Sequence, residues 1–263
     1  MTSSSSSSSS STEELTYGSY LRLDDLLSCQ TPRTDKHDEL LFVIIHQVYE
    51  LWFKEILHEA VLLQSRLEAG NGAGAEATAH RIAKILKTVV GQLDILETMT
   101  PQQFASFRPN LGGSSGFQSY QFRYIEAVFG RRGFSRSVMD AELERIVARP
   151  AVFGSLLRYL AASGYSVLDG VLDRDPRLPW EGDERVQALL VSVYADASTP
   201  GEVCEALVDI DEGVQEWRYR HVKMVERIIG MKTGTGGSTG ADYLRGTLFQ
   251  PFFPDLWAIR SSV

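Results

Sequence analysis

Residues 36 to 68 contain neither proline nor glycine and are rich in Leu, Glu and Ile. That stretch most constrains the fold, because its length and composition are those of a long helix and not of a strand. Alternating strand patterns are scarce elsewhere. A loop is expected at Gly70-Asn71-Gly72-Ala73-Gly74, then a second helix over Glu76 to Met99. Its apolar residues Ile82, Ile85, Val89, Leu93 and Leu96 recur at three and four, which marks one buried stripe. Thr100-Pro101-Gln102-Gln103 reads as a capping box with proline at the first helical position, and Thr199-Pro200-Gly201-Glu202 repeats the device. Further helices are expected over 116–129, 138–148, 152–162, 185–197 and 202–229, with a short last one over 241–248. The βαβ rhythm of an α/β enzyme is missing, so the expected fold is an all-α helical bundle.

The chain of 263 residues is long enough for a sizeable core and short enough for one domain. We read residues 1–12 as a disordered Ser-rich tail, since polyserine has nothing to bury, and 13–263 as a single all-α domain. Lys and Arg number 26 against 34 Asp and Glu, a net charge of -8, which argues against a nucleic-acid partner. The longest apolar run, Leu40 to Ile45, is far short of the ~20 residues a membrane span needs. No secretory leader is expected. The two cysteines, Cys29 and Cys204, build no disulfide framework, and a cytoplasmic setting fits them.

Two histidines stand out. His46 lies in a helix that is apolar nearly all round, with Phe42 one turn before it. A ring in so dry a place needs a partner, and bonding to a neighbour is the ordinary solution. His221 occupies a core position of the stripe Leu207, Ile210, Val214, Trp217, His221, Met224, Ile228, whose steps alternate three and four. A histidine there is either a costly packing choice or a ligand aimed into the bundle, where cofactors commonly sit. Arg108, at an expected helix end between Phe104, Phe107 and Pro109, is either a solvated arginine or a bidentate clamp for a carboxylate.

Other patterns mislead. Gly112-Gly113-Ser114-Ser115-Gly116 matches a nucleophile elbow but has no strand before it. The glycine-rich 234–240 segment does not complete a dinucleotide motif, though its amides could form an anion nest. Glu55-Ile56-Leu57-His58 is one Glu-x-x-His where a di-iron bundle needs two.

Taken in order, several stretches resemble the tryptophan 2,3-dioxygenase family. They are Tyr17-Gly18-Ser19-Tyr20-Leu21-Arg22-Leu23-Asp24, His37-Asp38-Glu39 and His46-Gln47-Val48-Tyr49-Glu50-Leu51-Trp52-Phe53-Lys54. Then come Phe107-Arg108, Ser115-Gly116-Phe117-Gln118-Ser119, Gln121-Phe122-Arg123 and Trp217-Arg218-Tyr219-Arg220-His221. Gly234-Thr235-Gly236-Gly237 and Phe253-Pro254-Asp255-Leu256-Trp257 complete the set, which spans nearly the whole chain outside the serine tail. The segment from Val171 to Trp180 carries no motif.

The resemblance implies a haem b pocket within the bundle, with His221 as the axial ligand of the iron and O2 as co-substrate. It implies that His46 is the distal residue that meets the indole N–H. Phe42, Phe104, Leu111 and Ser115 would line the pocket. Arg108 would hold the substrate carboxylate, Thr235 would help hold the ammonium and carboxylate groups, and Arg123 would meet a haem propionate. Tyr17 and Tyr20 would arrive from a neighbouring subunit of a homotetramer. The implied reaction inserts both oxygen atoms across the indole C2–C3 bond of L-tryptophan, giving N-formyl-L-kynurenine, the first step of the kynurenine pathway. Three other readings stay open at this point. One is a related haem monooxygenase that makes an oxindole from tryptophan or a substituted tryptophan. Another is a haem-binding sensor or carrier without turnover. The third is a purely structural helical bundle, colourless even with added hemin.

Overall fold

A computed structural model describes residues 15–230, 232 and 244–263. The serine tail, Thr235 and the first three residues of the short helix expected over 241–248 lie outside the described residues. Among the described residues there is no strand. Helix α1 spans Tyr17–Leu21, α2 Leu23–Leu27, α3 His37–Glu68 and α4 Gly72–Leu96. Helix α5 spans Pro101–Phe107, α6 Tyr120–Phe129, α7 Ala141–Val147, α8 Val152–Ala162 and α9 Asp169–Leu172. Helix α10 spans Glu184–Ala195, α11 Thr199–Ile229 and α12 Pro254–Ala258.

Helices α3, α4 and α11 form the frame. Helix α4 packs on both of the others, and α6 and α8 also pack against α3. The stripe Ile45, Tyr49, Phe53, Ile56, Ala60, Leu63, Leu67 is the buried face of α3, with steps of three and four. Each large side chain so buried contributes about 1.5–3 kcal/mol. A helix apolar nearly all round is expected to be covered on several sides, but Leu40, Ile44 and Leu51 stay exposed in the single chain.

The turn between α3 and α4 is shorter than expected. Asn71 caps α4 by accepting the amide of Gly74 at 3.0 Å, so the helix starts at Gly72. Gly72 cannot be larger: a Cβ there would lie 2.2 Å from the Tyr159 hydroxyl. Gly213 plays a similar part on α11, where an added Cβ would stand 3.1 Å from the side chain of Leu86 on α4. The Thr100 capping box forms as expected, with both reciprocal hydrogen bonds. The second device does not, since α11 begins one residue earlier, with Ser198 at its cap and Thr199 inside the helix. The stretch expected as one helix over 116–129 breaks into a 3-10 turn, Gly116–Gln118, and α6, because Ser119 caps the latter through the Phe122 amide.

Buried polar groups fix the C-terminal segment. Asp211 of α11, fully buried, accepts the Phe253 amide and the Trp257 indole N–H, each at 3.0 Å. Arg218, one turn before His221, donates to the Gln250 carbonyl at 2.8 Å and to Glu126 of α6 at 3.1 Å. Satisfied buried networks of this kind set a single register, and here the register is that of the helix carrying His221.

Candidate active site

The stripe on α11 is interrupted in a telling way. Leu207, Ile210, Val214, Met224 and Ile228 are buried, whereas Trp217 and His221, in the middle of the same stripe, keep accessible surface. On α3, Phe42, His46 and Trp52 do the same beside buried Ile45, Tyr49 and Phe53. Protein interiors pack without such gaps. The residues that keep surface within these two stripes mark the two sides of the candidate site.

The α11 side is aromatic. The Trp217 ring stacks on the His221 imidazole, with centroids 5.0 Å apart and planes 15° from parallel. Phe122 of α6 lies 4.7 Å from Trp217, and Phe53 of α3 meets Trp217 edge-on at 6.3 Å. Burial lowers the His221 pKa to about 4, so its imidazole is neutral. None of the described residues offers its ring nitrogens a hydrogen bond. The indole N–H groups of Trp52 and Trp217 are buried and also lack a partner among the described residues.

The α3 side is built differently. The Nδ1 of His46 lies 2.7 Å from the Phe42 carbonyl, one turn earlier in its own helix. Burial holds the His46 pKa below the usual imidazole value, so this ring is neutral too. A carbonyl can only accept, so Nδ1 carries the proton and Nε2 is left as an acceptor. The Phe42 ring sits 4.1 Å from His46 and 5.7 Å from both Phe104 and Phe107. His46 and His221 are near enough for the charge of one to act on the other.

Other expected residues fall at varied distances from this centre. Phe104 and Leu111 pack against the core. Arg108, half-buried, follows one turn after Phe104 and opens the 3-10 turn Arg108–Leu111. Ser115 is occupied as a cap, accepting the Phe117 amide at 3.4 Å. Arg123 donates to the Phe117 carbonyl at 2.7 Å, which ties α6 to that loop. Tyr17 and Tyr20 are exposed, and α1 buries none of its residues in this chain.

The sequence matches the family model described as tryptophan 2,3-dioxygenase over residues 2–152 and 167–263. The chain belongs to this family. A tryptophan 2,3-dioxygenase of Anaeromyxobacter sp. (strain K) is 55% identical over 258 residues, covering 95% of this chain and 96% of the relative. One of Herpetosiphon aurantiacus is 49% identical over 260 residues, covering 96% and 100%. One of Bacillus thuringiensis subsp. konkukian is 41% identical over 261 residues, covering 95% and 94%.

The family is haem-dependent, and an unpartnered neutral imidazole set among aromatic rings suits such a group. Among the described residues no cluster of three His, Cys, Asp or Glu could hold a metal alone. A metal here would need a cofactor that brings most of its own ligands, and the His221 imidazole has no hydrogen-bond partner among the described residues. Phe53, Phe107, Phe122 and the flanking role of Trp217 were missed as site residues in the sequence. Trp217 lies one turn before His221 and Phe53 lies two turns after His46, so helical spacing alone would have placed both on the site's face.

Proposed function

We propose that the protein is a tryptophan 2,3-dioxygenase that binds haem b between α3 and α11. The observation that carries this reading is the pair of neutral imidazoles close enough to interact, one with no hydrogen-bond partner among the described residues and one with a fixed tautomer. When bound, haem supplies the iron at which dioxygen is activated. His221 would hold that iron through a ring nitrogen, with Trp217 fixing the plane of the imidazole. Arg123 would meet a propionate.

Each remaining residue has a positioning task. Nε2 of His46 accepts the indole N–H, which orients the ring without removing its proton. Phe42, Phe104 and Leu111 wall the indole and exclude water, and Ser115 shapes the loop beside them. Arg108 pairs with the substrate carboxylate as a planar fork, and Thr235 completes the amino-acid clamp. Such orientation supplies the larger part of what a protein adds to a cofactor reaction. The product is N-formyl-L-kynurenine.

A homotetramer belongs to the same proposal. Tyr17, Tyr20, Leu26 and Leu27 on α1 and α2, and Leu40, Ile44 and Leu51 on α3, are exposed apolar groups that a neighbouring subunit would cover. Tyr17 and Tyr20 would then complete the site of the next subunit. Cytoplasmic residence rests on the exposed free thiol of Cys29, which a reducing compartment preserves. No helix among the described residues is long and apolar enough to cross a membrane.

The relatives' names favour neither the monooxygenase nor the carrier reading. Reduced, hemin-loaded protein with L-tryptophan and isotopically labelled O2 tests the proposal. Two labelled oxygens in N-formylkynurenine support it. One labelled oxygen in an oxindole, or no turnover, overturns it.

A further inference from the structure

A second cleft lies away from the histidines, and none of its lining residues belongs to the candidate site. Helix α8, the end of α6 and the segment from Val171 to Trp180 enclose it, and Phe252 closes one wall. Its volume is about 50 Å3, room for a few waters or one small oxyanion, since a single water needs roughly 10–15 Å3. Phe153, Leu157 and Trp180 make it largely apolar.

Three arginines, Arg132, Arg158 and Arg174, also line this cleft. None forms an ion pair with any described residue, although the chain carries a net charge of -8. Their partners are carbonyls. Arg132 donates to the carbonyls of Pro176, Ala127, Arg131 and Arg149. Arg158 donates to those of Gly154 and Leu172. Arg174 donates to Pro179 at 2.7 Å and lies 4.7 Å over the Trp180 ring. A guanidinium has five N–H donors, so Arg158 and Arg174 keep several unused. Burial and the charge of Arg174 together depress the Arg132 pKa to about 10. Half-buried cations gathered beside an apolar wall call for a counter-anion.

We propose that this cleft binds a small oxyanion among Arg132, Arg158 and Arg174. The group is either inorganic phosphate or the carboxylate of a small apolar acid whose body rests on Phe153 and Trp180. Phe153, Gly154, Leu157 and Arg158 all fall in the stretch between 152 and 167 that the family model does not match. The cleft is thus built partly by a segment outside the family pattern.

Trp180 reports on the site directly. The test titrates the full chain with sodium phosphate and separately with sodium benzoate, at constant ionic strength, following tryptophan fluorescence and thermal midpoint. A saturable fluorescence change that Trp180→Phe removes and Arg174→Gln weakens at least tenfold, with a rising thermal midpoint, supports the proposal. Saturation by phosphate alone identifies an inorganic or phosphorylated ligand, and saturation by benzoate alone identifies an organic acid. A non-saturating response, or one unchanged in both Arg174→Gln and Arg158→Gln, overturns it. The second variant guards against loss of the Trp180 stack in the first.

Discussion

The two sides of the candidate site hold an imidazole by different means. On α11, His221 is positioned by stacking on Trp217 and by the register that Arg218 and Asp211 impose on its helix. On α3, His46 is positioned by a hydrogen bond to its own helix backbone. Stacking fixes a plane and leaves both nitrogens open, which is what a metal requires of a ligand. A hydrogen bond fixes a tautomer and leaves one acceptor, which is what recognition of a donor requires. In the proposed function the same side chain, neutral in both places, is thereby turned to two tasks.

Removing each imidazole separates those tasks. His221→Ala should have the largest effect. Haem affinity should fall by more than the roughly 10–100-fold that loss of a supporting residue costs, while helicity by circular dichroism persists. A purified variant with normal haem content would break the comparison at its centre. Arg108→Ala comes next. It should weaken L-tryptophan binding by about 2–5 kcal/mol if the carboxylate pair is desolvated, read by titrating the haem absorbance with the amino acid. An unchanged dissociation constant would remove Arg108 from the site. His46→Ala should retain haem and lose about 0.5–1.5 kcal/mol of preference for tryptophan over its N-methylated analogue, the net worth of one hydrogen bond. Equal selectivity in variant and parent would show that Nε2 does not meet the indole.

The pH profile follows from the same bond. Burial holds His46 below the ordinary 6.5, so the acceptor stays available as pH drops past that value. The acid limb of kcat/KM for tryptophan should therefore lie below pH 6.5, and His46→Ala should lack it. A limb at 6.5 would mean an exposed, ordinary imidazole. The stability sign agrees. Both rings are neutral in the folded chain and protonate near 6.5 when unfolded. Their contribution is full above that pH and fades below it, for His221 down to about 4.

Much of the frame was legible because it rests on local rules. Helix α8 matches its expected span, Val152–Ala162, and the start of α5 was spelled out by Thr100, Pro101 and Gln103. His221 could be placed on a core stripe from spacing alone. What escaped depends on contacts between distant segments. The early start of α4 requires Gly72 to face Tyr159, which is 87 residues away. The pairing of Trp217 with Phe122 joins two helices whose order in space no periodicity reveals. The arginine cleft draws on four separate stretches of chain, and one of them, Val171 to Trp180, carries no pattern at all. Within the site, the residue types pointed to chemistry, whereas the tautomer of His46 needed the Phe42 carbonyl in view.

The smallest expected effect tests whether stacking is all that Trp217 does. Its N–H is buried without a partner among the described residues, and an unpartnered donor costs about 1–3 kcal/mol. Trp217→Phe removes that cost and keeps an aromatic face against His221, but it leaves a gap beside Phe122 and Phe53 that costs a comparable amount. The two should nearly cancel, so the stability of the haem-free chain in urea should change by less than about 1 kcal/mol. Haem affinity then decides the role. If it is unchanged, the ring holds the His221 plane by shape alone, and the contrast with the hydrogen-bonded His46 stands as drawn. If it falls several-fold while stability holds, the indole N–H is bonded in the loaded protein, and the α11 side also reads its ligand through a hydrogen bond.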